Sequence, residues 1–187
     1  QGYRATYAEL WEQVERASRA FMARGVQPGD RVGIWARNRH EWVVTQLATA
    51  RIGAILVTVN PAYRAAELDH ALRKAGVSLL VMADGPLRPD WLETIVLERD
   101  WDAFLAEAER IDPARLAERE ATLRPDDAIN IQFTSGTTGA PKGATLSHRN
   151  ILNNARFTAR SLRYTEHDRV AVPVPLYHTF GMVIAVL

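Results

Sequence analysis

The chain has 187 residues, 47% of them apolar, with 23 Lys and Arg against 22 Asp and Glu and a formal net charge of +1. That balance excludes a broad nucleic-acid surface and an acidic tail, but not a small anionic ligand that needs only local charge. The absence of Cys excludes disulfides and thiolate metal sites. It fits a reducing compartment, and the cytoplasm is the expected location. No apolar run approaches the roughly 20 residues of a membrane span, and no secretory leader is visible. A transmembrane segment is therefore not expected, while peripheral membrane contact stays open.

The first element is an amphipathic helix over "TYAELWEQVERASRAFMARG". Tyr7, Leu10, Trp11, Val14, Ala17 and Phe21 recur at helical spacing. Thr6 and Glu9 match a capping box, and Gly25 is a natural stop. "QPGD" turns the chain into "RVGIWA", a buried strand. "NRHEWVVTQLATARIG" reads as a helix, with Asn38 as its expected cap. "AILVTV" is a second strand, "AELDHALRKAG" a helix closed by Gly76, and "VSLLVM" a third strand. Strands alternating with helices predict an α/β fold of parallel strands with helices on both faces. Strands this apolar agree, because parallel strands are covered on both sides.

Residues 84–127 read differently. "DGPLRPD" is loop-like, and "WDAFLAEAER" and "PARLAERE" are short charged helices. This segment is expected to be a surface excursion. "AINIQF" returns as a strand, a Gly-rich loop follows, "SHRNILNNARFTARSL" is a helix capped by Ser147, and "DRVAVPVPLYH" reads as a strand. No internal repeat or low-complexity segment occurs.

The loop after "AINIQF" holds the most chemical information. A Gly-rich loop behind a strand can turn its N–H groups inward as a nest for phosphate oxygens. Gly136, Gly139 and Gly143 can take positive φ and admit a ligand close to the backbone. Ser135, Thr137 and Thr138 add hydroxyl donors, Lys142 adds a mobile positive charge, and Pro141 stiffens the exit. The spacing is neither the common nucleotide P-loop nor a Rossmann fingerprint. On composition alone, an ordinary surface loop remains the competing reading.

The full string "FTSGTTGAPKGATLSH" resembles the phosphate-loop signature of the AMP-forming (adenylate-forming) acyl-CoA synthetase superfamily. "PVPLYHTFGM", residues 173–182, resembles the segment that carries the His and aromatic of that family's acid pocket. Residues 29–76, with "VNPAYR" at 59–64, are similar to the family's early αβα region and most like its fatty-acid, medium- or long-chain acyl-CoA ligases. The resemblance covers nearly the whole chain and is weakest over 84–127, where family members often carry a longer segment.

The resemblance implies a two-step reaction. A carboxylate attacks the α-phosphate of ATP, and coenzyme A then displaces AMP from the acyl adenylate. By position in the motif, Thr134, Ser135, Gly136, Thr137, Thr138 and Gly139 would cradle the β- and γ-phosphates, with Gly143 closing the loop. Thr134 would help place Mg²⁺. Lys142 would offset charge on pyrophosphate, and His178 would donate to the reacting carboxylate as a neutral imidazole. Phe180 and Gly181 would wall the acyl and pantetheine space. The remaining His residues, and Trp11, Trp42, Trp91 and Trp101, are read as structural.

On this basis residues 1–187 are expected to be an incomplete part of the family's large N-terminal domain. It divides into an αβα region (1–83), the excursion (84–127), and a strand, phosphate loop, helix and acid-pocket strand (128–187). The C-terminal domain and the adenine- and ribose-binding segments are absent from the sequence, so ligase turnover by this polypeptide alone is not expected. The implied partners are a small carboxylic acid, ATP and CoA. An adenylation module that loads a carrier protein, or a nucleotide-binding protein without catalysis, are the alternatives. The loop itself cannot separate the first two.

Overall fold

The computed structural model describes residues 2–134 and 141–187. Its centre is a six-stranded sheet. In chain order the elements are α1 (Tyr7–Ala23), β1 (Arg31–Trp35), α2 (His40–Arg51), β2 (Ile55–Thr58), α3 (Ala65–Ala75) and β3 (Val77–Met82). They continue with β4 (Glu93–Val96), α4 (Leu97–Ala106), α5 (Pro113–Glu120), β5 (Ala128–Thr134), β6 (Lys142–Ser147) and α6 (His148–Leu162). The strand order is β4-β3-β1-β2-β5-β6. All neighbours are parallel except β5 and β6, which are antiparallel. The α/β architecture is as expected, with an antiparallel edge strand added.

Side-chain alternation along the strands divides the core into two layers. Val32, Ile34, Leu56, Leu79, Val81 and Ile95 face α1, α2 and α4. Val57, Leu80, Met82 and Val96 face α3 through Leu68 and Leu72. Helices therefore cover both faces. Gly33 makes the second packing possible: a Cβ there would come within 2.9 Å of Leu80 and 3.3 Å of Leu72. Trp42, Phe21 and Phe104 are fully buried, and burying a side chain of this kind contributes about 1.5–3 kcal/mol.

The helix ends follow their local chemistry. Thr6 and Glu9 form the capping box of α1, Ser147 and Asn150 that of α6, and Gly76 closes α3 in the left-handed region at φ 65°. Three expectations are corrected. Asn38 does not cap α2: Arg39 holds that position without a side-chain bond, and Asn38 is engaged elsewhere. Tyr7 and Trp11 lie on the exposed side of α1, with Trp11 under the Arg51 guanidinium at 4.3 Å. Residues 168–178 form no strand, because Pro173 and Pro175 remove two N–H donors from the same edge.

Residues 84–127 are also more than a surface excursion. They supply β4, which pairs with β3 from Leu79↔Glu93 to Met82↔Val96. They also supply α4, whose Trp101 and Phe104 join the core beside Phe21.

Candidate active site

β5 runs between β2 and β6: β2 pairs with it as far as Gln132, and β6 continues to Thr134. The antiparallel register pairs Thr134 with Lys142 and Phe133 with Gly143. The Gly-rich loop is thus the connection of a hairpin whose two posts are adjacent residues. Thr134 Oγ1 donates to the Lys142 carbonyl at 3.4 Å, and both side chains are exposed. Lys74 on α3 donates from Nζ to the Pro141 carbonyl at 2.9 Å, which fixes the loop exit to the helix beside it.

Ser135, Gly136, Thr137, Thr138 and Gly139 lie outside the described residues. Gly143 departs from its expected role. Its φ is not positive, and a Cβ there would stand 2.9 Å from the Ile131 side chain on the paired strand β5.

His178 lies in a tight turn. Its carbonyl accepts from the N–H groups of Gly181 (2.9 Å) and Met182 (3.1 Å), and its own N–H donates to Pro175 (3.3 Å). The Phe180 N–H donates to His178 Nδ1 at 3.3 Å. In that geometry Nδ1 is the acceptor, which leaves Nε2 as the other polar atom of an exposed ring. Phe180 is 50% exposed, which rules out core packing for it. Gly181 is buried, and a Cβ there would lie 2.3 Å from the Pro175 carbonyl oxygen, so only glycine lets the following turn, Phe180–Ala185, seat against 175–176.

Gln132 joins the loop to the His178 segment. It lies two residues before Thr134, is 6% exposed, and donates from Nε2 to the Tyr177 carbonyl at 2.9 Å and to Thr58 Oγ1 on β2. Asn38, just beyond β1, bonds both ways to the same segment: Nδ2 donates to Val174 O (2.8 Å), and Oδ1 accepts from the Leu176 N–H (2.8 Å). Arg39 pairs with Glu41 and Glu98, anchoring the turn that carries Asn38. Hydrogen bonding to Glu41, opposed by burial, is the largest influence on this guanidinium and holds it in the charged form.

The sequence pattern did not single out Asn38 or Gln132 for the site. The available signal was a pair of amides, Asn130 and Gln132, at alternate positions of the apolar strand "AINIQF", where polar residues must find buried partners.

His148 opens α6, as its position after the loop suggested. Burial depresses its pKa, against a smaller opposing pull from Asp127. Its Nε2, Gln46 Oε1 and Asn130 Oδ1 have no partner among the described residues, and all three residues line a small cavity of about 90 Å3. A larger cleft of about 300 Å3 lies between α3 and the loop exit, lined by Tyr63, His70, Phe133 and Pro141 among others. Another of about 580 Å3 opens beyond β1 and β3. His178 lines neither.

The paired posts at the ends of the Gly-rich connection, Lys142 at its exit and an exposed imidazole whose turn is tied to the same strand make up the candidate site. The profile of the AMP-binding enzyme family matches residues 1–187, and the chain belongs to that family. It is 39% identical to the mitochondrial medium-chain acyl-CoA ligase of Danio rerio, over 97% of this chain and 36% of the relative. It is 34% identical to an acyl-CoA ligase of Ajellomyces capsulatus, over 98% of this chain and 36% of the relative.

Among solved structures it is similar to ATP-bound MatB from Rhodopseudomonas palustris, at 31% identity and a TM-score of 0.74 over 98% of this chain and 37% of that one. It is also similar to the o-succinylbenzoate CoA synthetase of Bacillus subtilis in complex with AMP. There the identity is 29% and the TM-score 0.83, over 98% of this chain and 38% of that one. The chain spans 35% to 40% of the length of the curated relatives it matches. The alignment to the Danio rerio ligase runs over 217 positions against 187 residues here, so the relative carries extra residues within the matched region.

Proposed function

We propose that this chain carries the phosphate loop and acid-binding turn of an ATP-dependent acid–CoA ligase. In the first step a carboxylate oxygen attacks the α-phosphorus of ATP. The bond to the β-phosphate oxygen breaks, and pyrophosphate leaves. In the second step the sulfur of coenzyme A attacks the acyl carbon of the adenylate, and AMP departs with the electron pair of the broken C–O bond. The obstacle in the first step is an anion approaching an anion, so catalysis rests on positioning and charge neutralisation.

The observation that carries this reading is the bond between Gln132 and the Tyr177 carbonyl. It joins the strand that ends in the phosphate loop to the turn that presents His178. Backbone N–H groups of 135–139 would hold the β- and γ-phosphates, with the hydroxyls of Ser135, Thr137 and Thr138 beside them. Lys142 would neutralise the departing pyrophosphate. The Nε2–H of His178 would donate to the carboxylate without the ring ionising. Phe180, exposed beside it, would wall the acyl chain, and Gly181 keeps the turn tight.

Among the described residues no three His, Cys, Asp or Glu gather to hold a metal. Mg²⁺ bound with a nucleotide takes most of its ligands from phosphate and water, so the Thr134 hydroxyl at the loop base fits as a single protein oxygen for such an ion. When bound, the ion would supply further charge neutralisation on the triphosphate.

Relatives named acyl-CoA ligases favour coenzyme A over a carrier protein as the thiol, and the medium-chain ligases among them favour an apolar acid of medium length. No described helix is long and apolar enough to cross a membrane. We take the cytoplasm as the working location; the mitochondrial relatives make a mitochondrial one the alternative. The deciding experiment is acid-dependent exchange of labelled pyrophosphate into ATP by the natural full-length protein, across acids of increasing length. Exchange that peaks with medium-chain acids is expected, and no exchange with any acid would refute the reading.

A further inference from the structure

Residues 174–182 carry His178 yet have no ladder of their own. Pro173 and Pro175 lack N–H groups, and the stretch before His178 pairs with no strand among the described residues. Its backbone groups must still be satisfied where they are buried. Three carboxamides from three separate elements do this. Asn38 bonds to Val174 O and the Leu176 N–H, both at 2.8 Å. Gln132 donates to Tyr177 O at 2.9 Å, and Gln46 on α2 donates to Met182 O at 3.0 Å.

The pattern differs from incidental surface bonding. Asn38 offers one donor and one acceptor to residues two apart, as a neighbouring strand would. Gln46 and Gln132 are both nearly buried, and the amide hydrogens of Gln132 reach Thr58 as well as Tyr177. The contacts bracket His178 at 174, 176, 177 and 182, and Gly181 leaves no slack against Pro175. Gln132 lies two residues from Thr134 on one extended strand, roughly 7 Å along it. It therefore refers the turn to the phosphate loop and not only to the core.

We infer that Asn38, Gln46 and Gln132 are positioning residues, whose carboxamides clamp the 174–182 backbone and so set the place of the His178 imidazole relative to the end of β5 at Thr134. The inference rests on the acid-activating role proposed for His178. Its signature is dependence on that ring: loosening the clamp costs activity only while there is an imidazole to misplace.

The test is a double-mutant cycle in the natural full-length protein, read by acid-dependent pyrophosphate–ATP exchange. Gln132→Met and Asn38→Ala are each made alone and with His178→Ala. In the presence of His178, each is expected to slow exchange about ten- to a hundred-fold at unchanged KM for ATP, the scale of a misplaced reacting group. In the His178→Ala background, the same substitutions are expected to change exchange by less than about two-fold.

Equal losses in both backgrounds would overturn the inference, as would losses that vanish once rates are normalised to folded protein. Asn38 is exposed, so its variant decides between these outcomes if Gln132→Met does not fold. Absence of exchange in the unmodified protein would remove the functional reading and the inference with it. Exchange with an additive cycle would remove the inference alone.

Discussion

Around β1 and β3 the large side chains are fully enclosed, Phe21, Trp42 and Phe104 among them. Along 163–187, Tyr164, Val170 and Phe180 stand in solvent, and the chain is pinned by Asn38, Gln46 and Gln132. The first region is held by non-directional apolar burial, which tolerates small shifts. The second also buries Leu176, Met182 and Val183 in the core, but around His178 it is fixed by a few directional bonds, each to a backbone atom. Apolar packing gives stability, while bonds of this kind give position, and position is what the proposed reaction needs.

The comparison can be broken most forcefully in the core. In the natural full-length protein, Phe104→Ala is expected to destabilise by about 3–5 kcal/mol in a denaturant melt, with pyrophosphate exchange per folded molecule nearly unchanged. A smaller loss would mean that α4 is peripheral after all. Lys142→Ala should do the reverse. Exchange is expected to fall about 10²–10³-fold while the melting temperature stays put, because the side chain is exposed; retained exchange would make it an ordinary surface lysine. Gly181→Ala sits on the boundary. Its Cβ would overlap the Pro175 carbonyl, at a cost of about 1–3 kcal/mol. It should also lower exchange by displacing His178, and wild-type rates would show that the turn can move without consequence.

The smallest effect is expected from His148. Burial lowers its folded-state pKa below the ordinary value of 6.5. As pH falls through about 6.5 the unfolded chain binds the proton first, so stability is full above that point and declines below it until the folded-state pKa is passed. Denaturant midpoints measured from pH 8 to pH 5 should show this decline, and His148→Leu should flatten it. An unchanged slope would assign the decline to other groups.

Much of this was legible in the sequence because periodicity reports burial. β1, β2, β3 and β5 are apolar runs, and α1 and α3 carry their caps in Thr6, Glu9 and Gly76. β4 was not legible: "ETIV" is short and lies among charged residues, and only its neighbour β3 makes it a strand. β6 was hidden for a different reason. "KGATLS" has no apolar alternation, since its residues are mostly exposed and its order comes from pairing with β5. In the candidate site, Lys142 and His178 were singled out through the motifs they sit in. The clamp was not, because Asn38 and Gln46 reach partners more than a hundred residues away, and one amide in a sequence carries no mark of its distant partner.

The close approach of the Ile131 side chain to Gly143 on the paired strand makes the hairpin a ruler. Slipping β6 by one residue would turn Lys142 to the opposite side of the sheet and bring a side chain to the spot where none fits. A single insertion or deletion between Thr134 and Lys142 therefore cannot be absorbed by sliding the strand.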